Sequence, residues 1–232
     1  MGGWIDLTKS LDGATEIYAE GCYRDPNFGA GLWSDHAAQG YEVWRLELGT
    51  QTGTHIDAPR HFDPNGATVD ALCPEQCVGT YRLVTVGELA EQAEWAQDWA
   101  SVTVLVLDAR PTNAASRARS TNTVPAARST DSPREPMDRA EPAKRPPLEL
   151  TPEAVEAVAA CPCRVIVVIG EVAVAHPDPF YFHRRIAECG KYLVEDTRED
   201  VGILPGEGQI IALPLRLIGL SGSPARVLIR GR

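Results

Sequence analysis

The sequence predicts an α/β domain with a disordered insertion in its middle, and three observations carry that expectation. Val102–Asp108 and Arg164–Gly170 are nearly continuous apolar runs, the pattern of strands covered on both faces. A helix signal stands before the second run: Thr151 is placed to cap, Pro152 fits a first helical position, and Glu153 suits the positive end of the dipole. A chain of 232 residues with 44% hydrophobic residues can build one sizeable core.

The elements follow in order. Trp4-Ile5-Asp6-Leu7 reads as a short strand, and Asp12-Gly13 as the turn after it. Residues 19–40 show neither helical nor strand period but hold Tyr23, Phe28 and Trp33, so they are expected to form a long ordered loop along a pocket. His36, within it, is within reach of a metal in principle, but an ordinary surface or hydrogen-bonding role is expected for it. From Tyr41 to Leu48 the period is two, with Trp44, Leu46 and Leu48 on one apolar face, which makes a strand that delivers the chain to Gln51 and His55. Tyr81–Val86 is a further strand, and Gly87–Ala100 a helix with Leu89, Ala93, Trp95 and Ala96 inward.

Composition then changes. Residues 111–147 hold seven prolines and no aromatic, with seven Lys or Arg against four Asp or Glu. Such a segment buries too little to offset its ordering entropy, so it is expected to be disordered, an insertion between residues 1–110 and 148–232 of one domain. Beyond it come the helix ending near Ala160, the strand 164–170 with Glu171 near its carboxyl end, a helix over Phe180–Cys189 stopped by Gly190, a strand Tyr192–Asp196, and two closing strands over 209–217 and 219–229.

A formal net charge of −10 and a pI near 5.0 repel phosphate backbones, which disfavours nucleic acid and leaves small molecules as the expected partners. The first residues lack a signal-peptide pattern and no run approaches a membrane span, so a cytoplasmic protein is expected. Six cysteines, Cys22, Cys73, Cys77, Cys161, Cys163 and Cys189, are too scattered for a disulfide scaffold, and the spacing of Cys161-Pro162-Cys163 is too tight for a zinc site; buried free thiols are expected.

The chemistry is expected in Gln51-Thr52-Gly53-Thr54-His55-Ile56-Asp57-Ala58-Pro59-Arg60-His61. Two histidines with an aspartate between them can converge on zinc or manganese if the backbone turns, and they can equally serve as turn formers and hydrogen-bond partners. Gly53 permits the turn and Pro59 forbids a helix through the segment.

This stretch resembles the signature of the cyclase family of metal-dependent hydrolases, HxGTHxDxPxH, with six of the seven fixed positions present and Gln51 in place of the first histidine. The resemblance implies a single swivelling β/β/α domain, and a homodimer or homotetramer. It extends to the chain's ends, where Asp6-Leu7 and the Gly222-Ser223-Pro224-Ala225-Arg226 turn match the family. It implies that Tyr18 lies over the substrate. One or two divalent metal ions would be held by Gln51, His55 and Asp57, with Asp57 and Glu195 bridging to a second ion on His183, twelve residues before Glu195. His61 would be the acid/base in hydrolysis of an amide, formamide or lactone. Because Gln51 is a weaker ligand than imidazole, two other readings stay open: a non-hydrolytic cyclase, dehydratase or lyase using the same site, and a small-molecule binding protein without catalysis.

Overall fold

The computed structural model describes residues 3–91, 99, 101–110 and 146–232. The chain runs through β1 (Ile5–Asp6), β2 (Ala19–Glu20), β3 (Tyr23–Arg24), β4 (Gly29–Ser34), a single turn of helix α1 (His36–Gln39), β5 (Val43–Glu47) and β6 (His55–Asp57). Next come β7 (Val78–Thr85), α2 (Val86–Glu91) and β8 (Val104–Asp108). The chain then continues with β9 (Leu148–Leu150), α3 (Pro152–Ala160), β10 (Val165–Ile169), β11 (Val172–Val174), α4 (Tyr181–Glu188), β12 (Tyr192–Glu195), β13 (Glu207–Pro214) and β14 (Gly222–Gly231).

Seven strands close into a ring in the order β14, β13, β7, β8, β10, β12, β6 and back to β14, and β1 adds to the outer edge of β14. Within this sheet the run β7, β8, β10, β12 is parallel and every other pairing is antiparallel; outside it β9 and β11 also pair in parallel. Parallel strands need crossovers, and helices covering one face supply them here.

The continuous apolar runs are explained by the two cores that share them. Val104 and Val106 of β8, with Val165 and Val167 of β10, fill the ring's interior together with Ile56, Tyr192, Ile210, Val227 and Ile229. Leu105 and Leu107, with Ile166 and Val168, point the other way, against Val155 and Val158 of α3 and Phe182 and Ile186 of α4. The layering is therefore β/β/α, as the resemblance implied. Each fully buried Val, Leu or Ile contributes about 1.5–3 kcal/mol. The Thr151 cap is present, its side chain accepting from Ala154 N at 3.2 Å.

Four expectations are corrected. Residues 19–40 are not a featureless loop, because β4 pairs with β5 in a hairpin (Leu32 opposite Trp44, Ala30 opposite Leu46) and β2 pairs with β3. The apolar face of β5 is not buried: every residue of that strand is exposed. Gly222–Arg226 is not a turn but the start of β14, held straight by its pairing with β6. Cys73 and Cys22 are exposed, whereas Cys77, Cys161 and Cys163 are buried; all six are free. Of the helix expected over 87–100, α2 is the described part, with Leu89 buried as expected; Ala93, Trp95 and Ala96 lie outside the described residues, as does 111–145 of the insertion. Among the described residues no helix is long and apolar enough to cross a membrane.

Candidate metal centre

Strand β6 is the piece that closes the ring, and it carries the motif. Its three residues pair with β12 on one side (His55 opposite Glu195, Leu193 opposite Asp57) and with β14 on the other (Pro224 opposite His55, Gly222 opposite Asp57). Ile56 points into the ring's interior, so by strand alternation His55 and Asp57 point outward, toward α4, on the face that Glu195 also occupies.

Two glycines make the approach possible. Gly53 has φ +62°, and a Cβ there would meet Leu11 Cδ2 at 2.5 Å. At Gly222 a Cβ would stand 2.9 Å from Ile56 O and collide with Gln51 Nε2, so β14 can lie against Gln51 only as glycine. Thr54 ties the turn to the end of β12: its hydroxyl donates to Asp196 O at 2.8 Å and accepts from Lys9 N at 2.9 Å. Asp196, with φ 57°, is the non-glycine residue in the left-handed region among the described residues, and Lys9 Nζ is bonded to its carboxylate.

The resulting cluster brings together all six of the residues expected to hold a metal or move a proton. His55 Nε2 lies 3.4 Å from Glu195 Oε1 and 3.7 Å from Asp57 Oδ1, and the ligand atoms of His55, Asp57 and Glu195 all lie within 4.8 Å of one another. His183, from α4, places Nε2 3.0 Å from Glu195 Oε2. His61 sits in a short 3-10 turn, Pro59–His61, with Nε2 3.9 Å from Asp57 Oδ2 and about a third of its side chain open to solvent. Gln51 reaches the same carboxylate, but through nitrogen: Nε2 donates to Asp57 Oδ1 at 3.2 Å while Oε1 accepts from the Thr50 hydroxyl at 2.5 Å.

The donor set fits a cation. His55 Nδ1 lies 2.6 Å from Gly53 O, an acceptor, so that nitrogen carries a proton, and a ring that has given up its second proton would present the Nε2 lone pair to two carboxylates. That Nε2 is buried without a hydrogen-bond partner. Three electron-rich ligands facing one another in a buried place demand positive charge. Burial alone would lower the His55 pKa, but Glu195, Asp57 and the Gly53 carbonyl outweigh it and lift the ring to about 9. His183 is likewise raised, its burial outweighed by Glu195 and Asp57. Burial, and after it the charge of Glu195, pushes Asp57 up; Glu195 feels the same burial, but His183 and His55 hold it well below the usual carboxylate range. Such opposed shifts on neighbouring groups mark sites built for chemistry.

Tyr18 stands further out. Its ring is 6.2 Å from that of Phe180, which lies 6.2 Å from His183, and its hydroxyl bonds Glu20. The sequence reasoning missed Phe62 and Phe180, whose rings are 5.7 Å apart and which line His183 with Tyr18 behind them. The signal was there: Phe62 follows His61 directly, and Phe180 precedes His183 by three, one helical turn. Glu171 is exposed, and His36 lies at the surface as expected.

Comparison with known proteins gives a consistent result. Residues 5–168 match the family model Cyclase, described as "Putative cyclase". A kynurenine formamidase of Maricaulis maris is 28% identical over 205 residues, covering 86% of this chain and 85% of that protein. Isatin hydrolase A from Ralstonia solanacearum has the same fold, with a TM-score of 0.67 at 23% identity over 99% of this chain and 92% of its own. So does a structure described as "Potential Metal-Dependent Hydrolase With Cyclase Activity", with a TM-score of 0.64 at 18% identity, covering 99% and 98%.

Proposed function

Because this chain belongs to the cyclase family, we propose that it is a hydrolase that opens or cleaves an amide, formamide or lactone bond of a small molecule at the His55, Asp57 and Glu195 cluster. The single observation that carries this reading is the unpartnered, buried Nε2 of His55 aimed at two carboxylates. One or two divalent ions, zinc or manganese, would be held by these three residues with His183 and Gln51 beside them. Such an ion, when bound, supplies a positive charge that polarises a carbonyl and acidifies water.

The remaining work falls to side chains. His61 is close to Asp57 Oδ2 yet open to solvent, so it can take a proton from the attacking water and return it to the leaving nitrogen or oxygen. Asp57 and the edge of the Phe62 ring, 4.6 Å from His61, hold that imidazole in place. Phe62, Phe180 and Tyr18 form an apolar wall that excludes water from one side and positions the substrate. The cytoplasm is the compartment that suits six free thiols.

The test is elemental analysis of the purified protein together with turnover of N-formylkynurenine, isatin and a lactone series, before and after chelation. Activity lost with the metal and regained with zinc or manganese is the expected result; full activity in rigorously metal-free protein would overturn it.

One observation favours a second reading, a non-hydrolytic cyclase, dehydratase or lyase. Gln51 presents an amide N–H to Asp57, occupying a lone pair that a metal would otherwise use. Gln51→His is expected to tighten metal binding roughly tenfold in calorimetry, since imidazole is the better ligand. An unchanged affinity would mean that Gln51 does not face the ion, and would favour acid/base chemistry by His55, Asp57 and His61 without it.

A further inference from the structure

His55 and Glu195 face each other on the last rung of the ladder between β6 and β12. His55 is the first residue of β6 and Glu195 the final one of β12, so the pairing of these two strands stops at them. Strand ends fray, and two candidate ligands placed at an end need a substitute for the missing rung. A substitute is present. Where the next pair would fall, Thr54 stands opposite Asp196, and a side chain makes the link: the Thr54 hydroxyl donates to Asp196 O at 2.8 Å.

Lys9 closes this link from the other side. Its backbone N–H donates to the same hydroxyl at 2.9 Å, and its ammonium donates to the Asp196 carboxylate. Three segments remote in sequence thus form one closed ring, with Thr54 beside His55 and Asp196 beside Glu195. The position of Lys9 is itself fixed, because its neighbours are pinned to the edge of β14. Leu7 N donates to Val227 O at 2.9 Å, and Val227 N donates to the Thr8 hydroxyl at 2.9 Å. Leu7 O in turn accepts from Arg198 N at 2.8 Å, two residues past Asp196.

Asp196 needs holding. With φ 57° it lies in the left-handed region, where an aspartate is strained and a glycine is not. Such a conformation persists only where its surroundings impose it. The pair that imposes it does little for general stability: the Lys9 and Asp196 side chains are 36% and 32% exposed, and ion pairs so open to water contribute little to folding. What the pair does is decide where the chain leaves β12, and therefore where the Glu195 carboxylate stands relative to His55 Nε2, 3.4 Å from it.

We propose that Lys9 is a positioning residue for the metal centre: it clamps Asp196 in its left-handed turn against Thr54 and so sets the span between Glu195 and His55. This role rests on the metal-dependent reading of the site. Groups that orient ligands from behind govern metal affinity by about 10–100-fold, although they never touch the ion.

The test is titration of the full chain with zinc and with manganese by calorimetry, alongside urea unfolding of the same metal-free samples. Lys9→Met is expected to weaken metal binding roughly tenfold while the unfolding midpoint stays close to that of the wild type. Lys9→Arg keeps a cation within reach of Asp196 and should stay within about twofold of the wild-type affinity. Lys9→Gln, shorter and neutral, carries the same expectation as Lys9→Met should that variant misfold. An Asp196→Gly background shows how the clamp acts, since glycine enters the left-handed region unaided: there Lys9→Met should add less than about twofold. Metal bound alike by the wild type and Lys9→Met would overturn the positioning role alone, as would an undiminished loss in the Asp196→Gly background. A wild-type chain that takes up neither ion would overturn the hydrolase reading and the positioning role together.

Discussion

Strand β12 is flanked at its start by the buried Lys191 and ends on the half-buried Glu195, and the two charges are treated differently. At its start, Lys191 is 8% exposed, and its ammonium donates to Cys161 O at 2.5 Å and Cys163 O at 2.7 Å, with Cys161 Sγ 3.8 Å away. The backbone brings acceptors to the cation, and the account closes within the chain. At its finish, Glu195 faces Asp57 across His55, and the nitrogen between them has no partner. A buried polar group that the chain satisfies by itself is architecture; one left short of charge is built for something that arrives from outside. The thiol neighbours follow the same logic. Cys163 beside it, and after that Lys191, draw the Cys161 thiol down to about 7 against the effect of burial.

Substitutions at the two ends are expected to have effects of different kind and size. The largest effect is expected from His61→Ala, which should cut kcat about 10²–10⁴-fold while metal content stays at the wild-type value; loss of metal together with rate would make His61 a ligand instead. Asp57→Asn removes one of the two charges that set the deficit, and should weaken metal binding by ~100-fold or more in calorimetry.

The third effect is a pH dependence of the metal-free protein. The His55 pKa is raised from 6.5 to about 9 on folding, so the stabilisation it brings is complete below pH 6.5 and disappears as pH climbs through 9. Chemical denaturation of metal-free protein should show stability falling across that window by on the order of 3 kcal/mol, and saturating metal should flatten the fall. A flat profile without metal would show that His55 is not lifted.

Smallest is the effect at the satisfied end. Lys191→Met strands two carbonyls and should cost about 1–3 kcal/mol in denaturant titration, with metal stoichiometry untouched. A parallel loss of metal would mean that the two ends of β12 are not independent.

How far the sequence reveals this can be traced residue by residue. The strands at Val104 and Val165 are legible because burial on both faces leaves no polar position to confuse the period. The cap at Thr151 is legible because it is local. His55, Asp57 and His61 converge as their spacing suggests, and His183 and Glu195 join them only through the family resemblance, since nothing local links positions 128 residues apart such as His55 and His183. The exposure of the hairpin is not legible in its sequence. Alternation at Trp44 and Leu46 states correctly which face is apolar, but a pattern within one strand says nothing of which surface will cover it. Phe62 and Phe180 are not legible because an aromatic beside a candidate site residue reads the same as one in a core until α4 is placed against the motif turn.

The ring of strands is completed by only three residues, His55 to Asp57, and an ion gripped jointly by those residues and by Glu195 would span the join between neighbouring staves. Cargo and hoop are then the same object: whatever loosens the seam empties the centre, and whatever fills the centre tightens the seam.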